Sequence, residues 1–380
     1  MDLQSLKAQI DNSPAFVLNI DLLQKNLAQL QTLRQQSGCK VLYSVKALPF
    51  SAVLKIANPW VDGFAVSSLF EAQLANEFLI NDGSLHLTTP GLSPDEWSDL
   101  SPLLSHISFN SLTQYQRFLT LGINSTSIGL RINPKLSFLN DNRFDPCRPH
   151  SKLGVDIDVL TQANRLQEIK GFHIHSTFSA TDFTPLIKTV EKLKNSLGNR
   201  LAQLDWLNLG GGYLFNYVND HQPLINLISG LKEDYKLDVF IEPGKAIVDN
   251  TGYLFSTVLD IFMSDGKTIA ILDTSVNHHP EVFEYQRRLD LHEHQPNAKH
   301  HVILAGSSCL AGDIFGEYQF SEPLKVGDKF VFKNVGAYSL IKANRFNGYN
   351  LPTIYSYQNQ QLHKEKQYHF SDYRQQWTTN

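Results

Sequence analysis

The order of apolar and polar positions divides this chain into two textures. Up to Ile241, short apolar runs alternate with segments of helical spacing. Ala15–Ile20 reads as a strand, and Asp21–Gln35 as a helix, because Leu22, Leu23, Leu27, Leu30 and Leu33 recur on one face. Strands are then predicted at Val41–Val45, Gly63–Val66, Leu85–Thr88, His106–Phe109, Ser127–Ile132, Gly171–His175 and Trp206–Leu209. Each is followed by a helical pattern: Ser51–Ala57, Ser68–Phe78, Pro94–Leu104, Leu112–Leu121, Ile157–Ile169, Thr184–Leu197 and Leu224–Tyr235. Val239–Ile241 closes the series.

Strand-helix repeats with short connectors predict a parallel sheet. Their number fits a (β/α)8 TIM barrel, which takes about 250 residues. A doubly wound open sheet is the rival, although no GxGxxG opens a helix after the first strand. Beyond residue 245 the helical spacing largely disappears. Gly252–Met263, Thr268–Asp273, His301–Leu304, Lys329–Lys333 and Thr353–Tyr357 read as strands between turns. The expected architecture is an α/β barrel over 15–245 and a C-terminal mainly-β domain over 246–380, with 1–14 packing on it. The polar stretch Arg287–His301 reads as an exposed loop, its His292-Glu-His294 a solvated tract rather than a metal site.

Composition narrows the function classes. With 42% hydrophobic and 18% charged residues the chain is an ordinary globular protein. A net charge of −4 gives no reason to expect nucleic acid as a partner, and suits a cationic small molecule. Three far-separated cysteines make neither a disulfide framework nor a zinc pair. No apolar run approaches the roughly 20 residues that span a bilayer, so no membrane partner is expected. The start lacks a signal-peptide pattern, and a cytoplasmic location is the expectation.

The chemistry sits at strand ends. Val41-Leu-Tyr-Ser-Val-Lys-Ala-Leu48 is an apolar run that meets a lysine as it ends. A lysine facing a cavity there can lose its proton and attack an aldehyde, as Schiff-base lysines do; snorkelling to solvent is the plainer alternative. Gly210-Gly211-Gly212 follows a strand, where glycines let backbone N–H groups approach an anion or simply make a tight turn. Glu242 precedes Pro243-Gly244 and would point into a barrel mouth or cap a surface turn. His173 and His175 share a strand face. They suit a ring-stacking role, a zinc site or a hydrogen-bonded core pair. Gly306-Ser-Ser-Cys-Leu-Ala-Gly-Asp313 has the make-up of a binding loop, and Gly336-Ala-Tyr338 is a turn carrying a phenol.

In this order the motifs YSVKA, HIHS, GGG, EPG, GSSCLAGD and GAY resemble the fold type III pyridoxal phosphate enzymes, the group of alanine racemase, diaminopimelate decarboxylase and ornithine decarboxylase. The resemblance implies a cofactor-holding barrel, a C-terminal β domain and a head-to-tail homodimer. It implies that Lys46 binds pyridoxal 5′-phosphate covalently, that His173 stacks on its ring, and that Glu242 pairs with its pyridine nitrogen. Ser176, Gly210, Gly211, Gly212 and Gly244 would surround the phosphate, with Tyr338 of the same subunit. Cys309 of a partner subunit would donate a proton after CO2 leaves. No metal is implied.

A carboxylate at Glu242, where the racemases carry arginine, implies decarboxylation rather than racemisation. Leu310 stands where the diaminopimelate and ornithine enzymes carry an acid for the far end of the substrate. Cys-Leu-Ala-Gly-Asp313, the segment Phe144–Gly154, Leu272-Asp-Thr-Ser275 and Phe346-Asn-Gly348 are similar instead to the carboxynorspermidine and carboxyspermidine decarboxylase branch. Asp273, Glu281 and Asp313, with His175, are then expected to hold the cationic substrate. Thr177–Asp182 and Ala343-Asn-Arg345 depart from that branch, which keeps a related carboxylated amine open.

Overall fold

The computed structural model describes residues 1–80, 83–123, 126–162, 166 and 168–379. The chain divides into two compact units, Gln24–Ile247 and Met1–Leu23 with Val248–Asn380. The first strand, β1 (Ala15–Asn19), belongs to the second of these.

Unit Gln24–Ile247 is built on β2 (Lys40–Ser44), β3 (Gly63–Val66), β4 (Ser84–Thr89), β5 (His106–Phe109), β6 (Ser127–Asn133), β7 (Val155–Asp156), β8 (Gly171–Ile174), β9 (Trp206–Asn208) and β10 (Asp238–Ile241). All pairings are parallel. β10 returns to β2 and β5 pairs with β6, so eight strands close a barrel to which the two-residue β7 adds. Each strand buries both faces, one on the interior and one under a helix, which is why they read as unbroken apolar runs. The helices start on sequence signals: Ser68 and Ser111 accept the N–H groups of Glu71 (3.3 Å) and Gln114 (3.0 Å).

The barrel interior is filled, not hollow. Leu42, Ala65, Trp206 and Phe240 pack together inside it. Gly129 on β6 and Gly171 on β8 make room for the Trp206 indole, whose N–H donates to Ser127 Oγ at 2.9 Å. A methyl group on Gly171 would fall 1.9 Å from the indole ring. Gly171→Ala should therefore cost at least about 1–3 kcal/mol of stability through overpacking, read as a lower urea midpoint with an unchanged slope. Beside the indole, His86 and His106 stack at 3.9 Å. Burial pushes the His106 imidazole down to about 4 and His86 well below its ordinary value, so both are neutral at pH 7.

The second unit is mainly sheet: β11 (Gly252–Ser264), β12 (Lys267–Leu272), β13 (Asp290–Leu291), β14 (His300–Ala305), β15 (Ile314–Phe320), β16 (Lys329–Lys333), β17 (Thr353–Gln358) and β18 (Gln361–Lys366). Its order is β15-β14-β12-β11-β1-β17-β18, with β16 on β11 and β13 on β16. Leu6, Ile10, Val17, Phe255, Val331 and Tyr355 form part of its core.

Three expectations are corrected. β1 does not join the barrel; it pairs with β11 antiparallel and β17 parallel. Its five residues are all buried, the same pattern a barrel strand shows, so periodicity could not place it. Arg287–His301 is not simply an exposed loop, because it contains β13 and buries Leu289 and Leu291. The helix expected over Ile157–Ile169 runs Ile157–Gln162, and positions 163–165 and 167 lie outside the described residues. Among the described residues no helix is long and apolar enough to cross a membrane.

Candidate active site

Lys46, His175, the three glycines and Glu242 all follow the C-terminal ends of barrel strands, the end at which barrels of this kind carry their chemistry. Lys46 sits in the single helical turn Val45–Ala47 directly after β2. It has water-accessible surface, and that surface faces a cavity of about 450 Å³ in the barrel mouth. Among the described residues it makes no hydrogen bond or ion pair. The surrounding protein lowers the pKa of its amine; Glu242 pulls the other way, and Arg131 adds to the lowering. A lysine so placed has a larger neutral fraction than one in water.

Strand register lines up the groups around it. Arg131 on β6 pairs with His173 on β8, and His173 with Asn208 on β9. Glu242 is buried just past β10. Its Oε1 accepts a hydrogen bond from Asn208 Nδ2 at 2.7 Å, and its N–H donates to Gly210 O at 2.7 Å. Burial alone would raise the pKa of this carboxyl. His173, the larger influence, and Lys46 outweigh it and hold Glu242 ionised, well below the usual carboxylate range. Burial lowers the His173 pKa in turn, against the pull of that carboxylate 3.5 Å from its Nε2. Neither nitrogen of His173 has a hydrogen-bond partner, although the ring is only 2% exposed. An unpaired buried imidazole is costly, which marks His173 as a residue kept for something other than stability.

The glycine triplet is fixed by packing as well as by turn geometry. Added methyl groups at Gly210, Gly211 and Gly212 would fall 2.2–2.3 Å from the carbonyl oxygens of Ile174, Glu242 and Thr177. Gly210 N–H is already donated to Asn208 Oδ1 (2.9 Å) and Gly211 N–H to His175 Nδ1 (3.2 Å). The second bond assigns the neutral His175 tautomer with its proton on Nε2. Gly212 and Gly244 keep N–H groups with no acceptor among the described residues, and so remain available to an anion. Ser176 is buried, its hydroxyl 3.1 Å from that of Thr189.

Sequence reasoning missed Arg131, Asn208 and the cationic wall of the cavity. Arg131, Arg143, Arg148 and Lys152 line it with Lys46, against one lining acid, Asp145. Asp145 is itself engaged, by the Ser137 hydroxyl and by Cys147 N–H at 2.8 Å. The signal for Arg131 was present: it interrupts the apolar run Ser127-Ile-Gly-Leu-Arg-Ile-Asn133 much as Lys46 interrupts its own. A cation-lined cavity favours a ligand carrying phosphate or carboxylate. With the unpaired lysine, the unpartnered imidazole and the ionised glutamate, these residues fit pyridoxal phosphate.

The remaining expected residues lie in the sheet unit. Cys309 is exposed, and Tyr338 is half-buried in a left-handed turn (φ 58°). The acids expected to face substrate are mostly engaged already. Asp313 is buried, with Oδ1 accepting Val276 N–H (2.7 Å) and Oδ2 accepting Ser308 N–H (3.0 Å) and its hydroxyl (2.5 Å). Asp273 takes the Ser13 and Ser256 hydroxyls and Thr257 N–H. Glu281 pairs through Oε2 with Arg287 at 2.5 Å, leaving Oε1 without a hydrogen bond among the described residues. Asp313 and Asp273 therefore fasten this unit together rather than present free anions, a role the sequence could not show because their partners are distant along the chain. No group of three or more potential metal ligands occurs among the described residues.

A barrel whose mouth holds a lysine, an imidazole and a buried carboxylate in this arrangement, in a chain that also carries a sheet unit, is the framework of a pyridoxal-dependent decarboxylase. The family profile described as "Pyridoxal-dependent decarboxylase, C-terminal sheet domain" matches residues 64–336, and the chain belongs to that family. It is 33% identical over 362 residues to the carboxynorspermidine/carboxyspermidine decarboxylase of Campylobacter jejuni, covering 90% of this chain and 92% of the relative. It is 36% identical over 348 residues to the carboxyaminopropylagmatine decarboxylase of Synechocystis, covering 90% and 89%. Among solved structures it is similar to the carboxynorspermidine decarboxylase of Campylobacter jejuni complexed with norspermidine, with a TM-score of 0.88 and 30% identity over 97% of this chain and 100% of that one.

Proposed function

We propose that this chain removes the α-carboxylate of a carboxylated polyamine, carboxynorspermidine or carboxyspermidine, releasing CO2 and norspermidine or spermidine in polyamine biosynthesis. The observation that carries the reading is an unbonded Lys46 of lowered pKa facing the barrel-mouth cavity, with the ionised Glu242 buried just past a neighbouring strand of the same barrel, in a chain alike over nine-tenths of its length to decarboxylases of such substrates. Pyridoxal phosphate, once bound, supplies an electron sink for the pair left when the bond to CO2 breaks.

The residues divide the work. Lys46 Nζ holds the cofactor and gives way to the substrate amine. His173 covers one face of the ring and excludes water from it. Glu242 holds a proton at the ring nitrogen. Gly212 and Gly244, with Gly210, Gly211 and Ser176, receive the phosphate, and Tyr338 is assigned to it as well. His175 Nε2–H and Glu281 Oε1 hold substrate groups. Cys309 of a second copy returns a proton to the carbon that lost CO2, so the working form is a homodimer. A cytoplasmic location is part of the same reading.

A second substrate is favoured by one observation. The relative at 36% identity acts on carboxyaminopropylagmatine. Leu310 and the engaged Asp313 leave few acids to select a primary ammonium at the far end. Incubating the holoenzyme with carboxynorspermidine, carboxyspermidine, carboxyaminopropylagmatine, meso-diaminopimelate and ornithine, with product analysis, separates the readings. Norspermidine or spermidine with CO2 is expected. Turnover of the third alone would move the assignment to the guanidino substrate. Turnover of only the last two would reject it.

A further inference from the structure

The loop Gly306–Asp313 carries an exposed thiol at Cys309, yet its backbone is held from two directions. From within, both oxygens of Asp313 close the loop on Val276 and Ser308. From the side comes the segment Arg345–Asn350: Asn347 Oδ1 accepts the N–H of Cys309 itself at 2.8 Å, and the Tyr349 hydroxyl donates to Ser307 O at 2.5 Å. Asn347 is left-handed, with φ 55° and ψ 15°. Asparagine tolerates that conformation better than most residues, and its amide oxygen supplies the acceptor, so two demands meet at one position. The segment is braced in turn by the C-terminal tail. Arg345 reaches Gln376 Oε1 at 3.4 Å and lies 5.3 Å over the Tyr368 ring, while Asn350 Nδ2 donates to Tyr368 O at 2.8 Å.

We infer that Asn347 is a positioning residue for Cys309: by fixing the backbone at the thiol's own residue, it sets the direction in which Sγ is delivered to the reacting carbon. The inference rests on the proton-donor role proposed for Cys309. A proton donor acts only within hydrogen-bond reach, and displacements of about 1 Å in positioned groups lower rates sharply. The tail Tyr368–Trp377 thereby bears on turnover through its contacts with Arg345 and Asn350.

The test is steady-state decarboxylation by holoenzyme variants. Asn347→Gly removes the acceptor and relaxes the left-handed backbone, so it adds no strain. It is expected to lower kcat about tenfold, equal to about 1.4 kcal/mol of barrier, with KM and cofactor occupancy unchanged and the melting temperature lowered by no more than a few degrees. Asn347→Asp keeps the oxygen and is expected to restore most of the rate. In a Cys309→Ala background, Asn347→Gly should cost nothing more. A wild-type kcat for Asn347→Gly, or its full penalty repeated in the Cys309→Ala background, overturns the inference. A wild-type rate for Cys309→Ala overturns instead the role proposed for the thiol, and the inference with it. Should Asn347→Gly not fold, Tyr349→Phe removes the neighbouring bond. It is then expected to slow turnover only while Cys309 is present, and an equal loss in the Cys309→Ala background overturns the inference.

Discussion

Lys46→Ala is expected to abolish turnover, a loss of at least about 10³-fold or about 4 kcal/mol of barrier, and to remove the visible absorbance of lysine-bound pyridoxal. Fold stability should be unaffected, because Lys46 makes no hydrogen bond or ion pair among the described residues and faces a cavity. The sharper comparison is Lys46→Arg. Arginine keeps a positive charge beside Glu242, but it stays protonated under all working conditions and offers no nucleophilic nitrogen. If the lysine only supplied charge, the arginine variant would retain much of the activity. If it supplies a neutral amine, for which its lowered pKa prepares it, the same variant fails as badly as alanine. Borohydride reduction of the wild-type holoenzyme, followed by peptide mass analysis, should find the cofactor on the peptide containing Lys46. Label on any other lysine would reject the assignment.

The chemistry of the barrel was legible because barrel geometry converts strand ends into a site. Each parallel strand buries both faces, so a lysine, a histidine or a glutamate at its end stands out against the apolar run before it. Lys46, His173 and Glu242 were visible in that way, and Arg131 carried the same signal unused. What could not be read was anything decided by pairing across long sequence distances. β1 has the texture of a barrel strand, and only its hydrogen bonds to β11 and β17 place it elsewhere. Asp313 and Asp273 look like free acids in sequence, but backbone N–H groups and hydroxyls from Ser13 to Ser308 occupy them. The C-terminal helix Phe370–Trp377 is polar and buries no residue, so it left no periodic trace.

Those occupied acids bear on selectivity. A cavity wall with four cations besides Lys46 repels a polyamine approaching by its ammonium groups and attracts its carboxylate. Substrate would therefore be oriented carboxylate-first by the field of that wall.

Glu242→Gln isolates the electrostatic part of the reaction. The amide keeps a carbonyl oxygen to accept the hydrogen bond now given by Asn208 Nδ2, and it keeps the volume, so packing is preserved. It loses a buried anion that acts on Lys46, Arg131 and His173. A neutral partner cannot stabilise a proton on the ring nitrogen, and an unprotonated ring accepts electrons poorly. The decarboxylation rate is expected to fall about 10²-fold or more, equal to about 2.7 kcal/mol, while cofactor affinity changes by only a small factor, since the phosphate and covalent contacts lie elsewhere. Removing the anion also removes the larger of the two influences that hold the Lys46 pKa up, so that pKa should fall further. Single-turnover decarboxylation and cofactor titration of the same variant decide the matter. Loss of rate with retained binding supports the role of the carboxylate at the ring, whereas parallel loss of both would reduce Glu242 to a structural anchor of the Pro243-Gly244 turn.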